Sequence, residues 1–212
     1  MAITQLGILA KKNGSSGTLA PEEPFFFAKM PSCVIANGEP ILHPGAGHQV
    51  DYEVELAVVI GKEARHVDPA HALECIAGYA VFNDYSERTF QFDRGGQFVK
   101  GKSADSFAPL GPVLVTRDEM PDTGNLGIWL TVNGTMRQQS TTANLMVDVP
   151  GLVSYVSEFM TLVPGDVLST GTPSGVGLGM KPEPVYLKAG DEVVAGIDGL
   201  GEQRQRVVAY RE

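Results

Sequence analysis

Short apolar runs separated by Gly, Pro and Asn dominate this chain, which predicts many strands and few helices. Residues 54–60 are almost all Val, Ile, Leu or Ala, and Gly61 closes the run, so it predicts a strand entering a core. Asp68 and Pro69 predict the N-cap and first position of a short helix to about Cys75, after which 78–82 returns as a strand. Further strands are predicted at 25–29, 41–44, 109–116, 126–132, 167–171, 185–187, 191–197 and 205–210. Asn133-Gly134 between two such runs predicts a type I′ hairpin. Leu152, Val153, Val156, Phe159 and Met160 recur at helical spacing, which makes 149–161 the strongest helix signal. Residues 84–92 predict one or two helical turns with Arg88 and Gln91 on one face. Residues 1–20 are weakly patterned, and 11–18 are polar and Gly/Ser-rich, predicting a mobile loop or lid. The expected organisation is a flexible or divergent segment at 1–20 followed by one mixed, mainly β domain at 21–212.

Two positions in this pattern carry chemistry. Successive strand side chains point to opposite faces, so Glu53 and Glu55 project side by side from the same face. Carboxylates held that close repel unless a proton or a cation lies between them. Asp84 closes the apolar run 76–82 and can bring a third carboxylate to the same point. An all-oxygen set without Cys or His favours a hard divalent ion, Mg²⁺ or Mn²⁺, over Zn²⁺. The plainer alternative is a Glu-x-Glu pair on the wet face of an antiparallel sheet. Against it, the run after Glu55 is so apolar that the carboxylates stand at the mouth of a core.

The segment 95–103 is Gly-punctuated and predicts a loop carrying Lys100 and Lys102. A lysine there can supply positive charge to an oxyanion, or lie solvated on the surface. The Gly-rich stretch 170–177 lacks the Gly-Lys-Ser/Thr ending of a phosphate loop and instead predicts a loop in which Thr172 donates a hydrogen bond to a small ligand. His43, His48, His66 and His71 form no metal-ligand spacing and are expected at turns or on the surface. No Gly-x-Ser-x-Gly nucleophile elbow is present.

Composition narrows the classes. The chain has 212 residues, 43% hydrophobic and 19% charged, as expected for one globular domain. The net charge of −9, with no run of Lys or Arg, argues against nucleic-acid binding. No apolar stretch approaches the roughly 18 residues of a membrane span. Cys33 and Cys75 sit in no metal or redox spacing, so buried reduced thiols in a cytoplasmic protein are expected.

Four ordered motifs occur together: Glu53-Val54-Glu55, then 83–88 (Asn-Asp-Tyr-Ser-Glu-Arg), then 100–112 beginning Lys-Gly-Lys-Ser, then 169–177. In these the chain resembles the fumarylacetoacetate hydrolase family from about residue 21 to 210. The resemblance implies a β-roll of largely antiparallel strands with a few short helices, usually in a homodimer. It implies metal ligands at Glu53, Glu55 and Asp84, catalytic roles for Lys102 and Arg88, and substrate contacts at Arg88, Gln91, Lys102 and Thr172. The substrate class implied is a small 2-oxo or 2,4-dioxo acid chelating Mg²⁺ (or Mn²⁺), with an enolate common to hydrolytic C–C cleavage, isomerisation and decarboxylation. Residues 90–102 and 201–205 are similar to members that cleave 2,4-diketo sugar acids. One departure bears on the reaction. Family members carry a Gly-x-Asn-Tyr-x-x-His-x-x-Glu motif whose His and Glu activate water, often after a longer N-terminal segment, whereas residues 8–17 here hold no histidine. Hydrolysis then needs another base, for which His43 and His48 are candidates; without one, the expectation becomes an isomerase, a decarboxylase or a non-catalytic 2-oxo-acid binder.

Overall fold

In the computed structural model of the chain, residues 3–7 and 24–210 are described. The strands are β1 (Ile3–Gly7), β2 (Phe25–Lys29), β3 (Val34–Ala36), β4 (Ile41–His43), β5 (Val50–Asp51), β6 (Val54–Ile60), β7 (Ile76–Asn83), β8 (Ser86–Glu87), β9 (Ala108–Leu110), β10 (Val115–Thr116), β11 (Gly127–Val132), β12 (Thr135–Thr141), β13 (Val167–Ser169), β14 (Glu192–Ile197) and β15 (Gly201–Ala209). Four short α-helices join them: α1 (Pro69–Ala72), α2 (Arg88–Phe92), α3 (Phe98–Lys102) and α4 (Val149–Phe159). The fold is the expected mixed, mainly β arrangement, and most strand pairs are antiparallel. The parallel exceptions are β1 with β13, β3 with β9, and β4 with β15.

The main sheet runs β2-β1-β13-β6-β7-β9-β3, with β10 beside β7. Its two end strands are consecutive in sequence, Lys29 being joined to Val34 by a short turn that includes a 3-10 segment at Pro31–Cys33. Seven strands laid flat would separate those ends by about 29 Å at the usual inter-strand spacing. Five residue steps can span at most about 18 Å. The sheet must therefore curl on itself, and that curl is the roll.

Curling gives the sheet two unequal faces. Along β6, Val54, Leu56, Val58 and Ile60 face the major core, which they share with β11, β14 and α4 through Leu130, Val193, Leu152 and Val156. The alternate positions face inward, where Ala57 joins Ala80, Phe82, Cys33, Ala108 and Val167 in a second, smaller cluster. The small Ala57 and Ala80 side chains leave room inside the roll for the longer carboxylates next to them in the pattern. A second sheet, β12-β11-β14-β15-β4, closes the major core from its other side.

Several expected elements form as read. The hairpin turn has positive φ at both Asn133 and Gly134. Asp68 caps α1 by accepting from the Ala70 N–H, and Asp148 caps α4 through the Gly151 N–H. Cys33 and Cys75 are free and buried. Three expectations are corrected. The strand expected at 109–116 is split into β9 and β10, because Gly111 at φ +122° and Pro112 turn the chain between them. Residues 185–187 are irregular, since their backbone is used by neighbouring loops, with Val185 N–H donating to Gly177 O and Leu187 N–H to Val50 O. Residues 98–102 are not loop but helix α3, packed on α2 and β2. Residues 3–7 of the weakly patterned N-terminus are strand β1, while 11–18 lie outside the described residues. No helix among the described residues is long and apolar enough to cross a membrane.

The α2–α3 contact depends on Gly101. A Cβ there would lie 2.5 Å from Glu87 O and 2.7 Å from Gln91 Cβ, too close for either to accommodate. Gly101→Ala is expected to push the two helices apart and to lower unfolding free energy by about 1–3 kcal/mol in denaturant melts. A melt unchanged within error would show that the helices are not wedged at this point.

Candidate active site

The β6–β7 register builds the site. Glu55 pairs with Phe82 and Val54 with Asn83, and one step on the Asp84 N–H donates to Glu53 O at 2.8 Å. Glu53 and Asp84 therefore face each other across the ladder, in phase with Glu55 and on the inner face of the roll. Carboxylate oxygens of Glu53, Glu55 and Asp84 lie within 4.8 Å of one another. All three residues are buried, Glu55 at 1% exposure and Asp84 at 0%. This overturns the alternative of a wet sheet face.

Cations from three other elements converge on this trio. Lys102, at the end of α3, donates through Nζ to Glu53 Oε2 at 2.8 Å and to Asp84 Oδ2. Lys29, at the end of β2, donates to Asp84 Oδ1 at 2.6 Å and to Tyr85 O at 3.2 Å. Arg88, opening α2, donates through Nη2 to Glu53 Oε1 at 2.6 Å and to Asp51 Oδ2 at 2.8 Å. Its Nε also reaches Asp51 Oδ2, and its Nη1 donates to Gln91 Oε1 at 2.9 Å, so the guanidinium is fixed on both sides. Asp51 is anchored in turn by the Gly177 and Leu178 N–H groups. Glu55 accepts from Ser169 Oγ and from the Gly171 N–H.

Among the described residues, the carboxyl groups of Asp51, Glu53 and Asp84 pair with Lys29, Arg88 and Lys102, and the trio's three carboxyls do not respond alike. Burial pushes the Glu53 carboxyl up, but Lys102 and Arg88 outweigh it and hold Glu53 down at about 2. For Glu55, burial, then Asp84 and Glu53, outweigh the Ser169 hydrogen bond and Lys102 and push it up to about 8. For Lys102, burial favours the neutral amine, yet Asp84 and Glu53 prevail and raise its pKa, so the ammonium persists. A buried cluster of hard oxygens in which burial and like charges raise both the Glu55 and the Asp84 carboxyl suits a divalent cation.

The sequence-derived candidates are placed as follows. Glu53, Glu55, Asp84, Arg88, Gln91 and Lys102 come together, and Lys102, expected on a loop, is a buried helix end at 2% exposure. Thr172 lies beside the site, but its hydroxyl donates to Val54 O at 2.9 Å and accepts from Gln138 Nε2 at 2.7 Å, so the proton expected for a ligand is given to the backbone. His43, expected at the surface, is buried in β4, its Nε2 3.1 Å from Leu187 O and its Nδ1 accepting from the Gly45 N–H. His48 packs on Phe90 near Glu87. Both histidines line a separate cavity of about 680 Å³ whose walls include Tyr186 and Lys188. Sequence reasoning missed Lys29, Asp51 and Ser169. The only signal was a polar residue ending or interrupting an apolar run, as Lys29 does after three phenylalanines.

A sequence profile of the family described as "Fumarylacetoacetate (FAA) hydrolase C-terminal" matches residues 7–208. The chain belongs to the fumarylacetoacetate hydrolase family. Within it, the chain is 51% identical over 191 residues to a Burkholderia cenocepacia (strain HI2424) protein named only as a hydrolase, covering 90% of this chain and 68% of that one. The structure is similar to 5-carboxymethyl-2-hydroxymuconate delta-isomerase from Mycobacterium smegmatis, with a TM-score of 0.86, 36% identity, and coverage of 100% of this chain and 80% of that chain. It is also similar to maleylpyruvate hydrolase from Sphingobium sp. SYK-6, solved with manganese(II) and pyruvate, with a TM-score of 0.83, 32% identity, and coverage of 99% and 71%. Family members of this fold thus include hydrolases and isomerases alike.

Glu55 makes metal affinity depend on pH. Its folded pKa of about 8 lies above the ordinary 4.5, so at neutral pH a cation entering the trio must displace its proton. Affinity for Mn²⁺ is expected to rise with pH up to about 8 and then level off, with release of about one proton per ion at pH 7. The same shift gives the metal-free protein a contribution to stability that is full below pH 4.5 and is lost as pH rises through about 8. Calorimetry in buffers of different ionisation enthalpy counts the protons, and a count of zero would remove Glu55 from the ligand set.

Proposed function

We propose that this protein is a divalent-metal-dependent enzyme that hydrolyses a carbon–carbon bond in a small 2,4-dioxo acid. The observation that carries the proposal is the buried trio Glu53, Glu55 and Asp84 bridged by the Lys102 ammonium. Support comes from the family, from the Burkholderia relative named a hydrolase, and from the neighbour solved with manganese(II) and pyruvate, itself a 2-oxo acid. Glu53, Glu55 and Asp84 would hold a divalent ion, Mg²⁺ or Mn²⁺, which would supply Lewis acidity toward such an acid.

The side chains do the rest. Arg88, locked by Asp51 and Gln91, presents a preoriented guanidinium for a substrate carboxylate or carbonyl oxygen. The Gly-rich loop around Thr172 has its shape fixed by Gln138. In cleavage, water adds to C4 and the C3–C4 bond breaks. Its electron pair moves to the pyruvate fragment, where the Lys102 ammonium meets the negative charge. Protonation at C3 then releases pyruvate, and C4 leaves as a carboxylic acid. Burial keeps the Lys102 contact in a low-dielectric site, where it has most effect.

A second reading, isomerisation, is favoured by one specific observation. Water needs a base, and 8–17 carries no histidine where relatives hold their His-Glu pair, whereas protonating C3 needs only an acid. The similar isomerase from Mycobacterium smegmatis supports this reading.

The deciding assay follows diketo absorbance and pyruvate release from an acylpyruvate, with Mn²⁺ or Mg²⁺ and then with EDTA. Metal-dependent loss of absorbance with stoichiometric pyruvate is expected. Loss of oxaloacetate alone, or double-bond migration without pyruvate, would replace hydrolysis with decarboxylation or isomerisation. Lys102→Met is expected to lower kcat by about 10²–10³-fold while metal binding is kept or strengthened, since its ammonium competes for the same oxygens. Unchanged kcat in this variant would remove Lys102 from the chemistry.

A further inference from the structure

We propose that the substrate's acyl arm is apolar, and that four phenylalanines form the wall that selects it. This rests on the reading of the trio as a 2-oxo-acid site and extends it to the part of the substrate beyond C4. The wall begins at the catalytic lysine: the Phe27 ring centroid is 5.3 Å from Lys102 Nζ. From Phe27 the rings run outward, with Phe27 to Phe98 at 5.6 Å, Phe25 to Phe98 at 5.1 Å and Phe98 to Phe92 at 5.7 Å, the last two edge-to-face.

The order of depth follows from the elements. On β2, positions 25, 27 and 29 share a face. Lys29 is buried against Asp84, Phe27 stands over Lys102, and Phe25 is 41% exposed at the rim. At about 3.4 Å per residue, Phe27 lies about 7 Å and Phe25 about 14 Å along the strand from Lys29. On α3, Phe98 and Lys102 are four apart and so share a helix face, the aromatic outside and the ammonium inside. The elements that supply the polar floor also supply the apolar wall above it.

A cluster that only fixed α2 and α3 to β2 would bury its rings. Here the outer two stay open, Phe25 at 41% and Phe92 at 47%, and both touch Phe98. Exposed aromatic area that continues ring by ring to a buried charged cluster marks a place where an apolar group is received. An aryl or alkyl arm at C4 fits such a wall. A polyhydroxylated sugar-acid arm would have to shed its hydration against rings that return no hydrogen bond.

The test measures affinities of the Mn²⁺-loaded protein by calorimetry for three unreactive ligands: pyruvate, 2-oxo-4-phenylbutanoate and a 3-deoxy-2-oxo sugar acid. The phenyl ligand is expected to bind about tenfold tighter than pyruvate, and the sugar acid no tighter than pyruvate. Phe25→Ser and Phe92→Ser change exposed rings and should fold; each is expected to remove most of the phenyl advantage and leave pyruvate affinity unchanged. An equal affinity for pyruvate and the phenyl ligand, a preference for the sugar acid, or an equal loss for both ligands in the Ser variants would overturn the apolar-arm assignment. Absence of metal-dependent pyruvate binding would instead overturn the 2-oxo-acid reading itself, and the assignment with it.

Discussion

Carboxylates forced together out of water govern this structure. Glu53, Glu55 and Asp84 share a space under 5 Å across inside a curled sheet, and the inner face offers little solvent to screen them. Such a cluster survives only if charges of the other sign come equally close. The chain supplies them from elements far apart in sequence: Lys29 from β2, Arg88 from α2 and Lys102 from α3. Burial, with Asp84 and Glu53 close by, raises the Glu55 carboxyl, which favours its protonated form. Removing any one cation would leave a buried carboxylate short of a charge partner, so these cations also hold the inside of the roll together.

Closure of the roll is what keeps this arrangement dry and brings Lys29 into it. Lys29 sits on an end strand of the main sheet, and Asp84 follows a strand in its middle. In a flat sheet no lysine side chain would bridge that gap. The short turn at 30–33 bends the sheet until the end strand faces the centre, and the 2.6 Å contact follows. Gly101 does the equivalent for α2 and α3, letting the Arg88 and Lys102 helices pack without a side chain between them. Both devices are local in sequence and long-range in effect.

That difference separates what could be read in the sequence from what could not. The period-two pattern placed Glu53 and Glu55 on one face, and the end of a second apolar run placed Asp84, because a strand's facing is decided within a few residues. The Asn133-Gly134 hairpin and α4 were legible for the same reason. Lys102 was not, since its segment is polar and Gly-punctuated and its burial comes from packing against β2 and α2. Lys29 needed the closure of the sheet, and Asp51 needed the loop at Gly177 to fold back over it. The run at 109–116 read as one strand because β propensity continues across a Gly-Pro turn that ends the pairing. The resemblance named Lys102 where composition alone would have left it in solvent.

Charge also bears on what the proposed site would take. A divalent ion on the trio would add positive charge beside Lys29, Arg88 and Lys102, and an anionic ligand would offset that better than a neutral one. On the proposed reading the polar floor would hold the acid end of a substrate and leave what lies beyond C4 to uncharged groups, among which are the rings that run outward from Lys102.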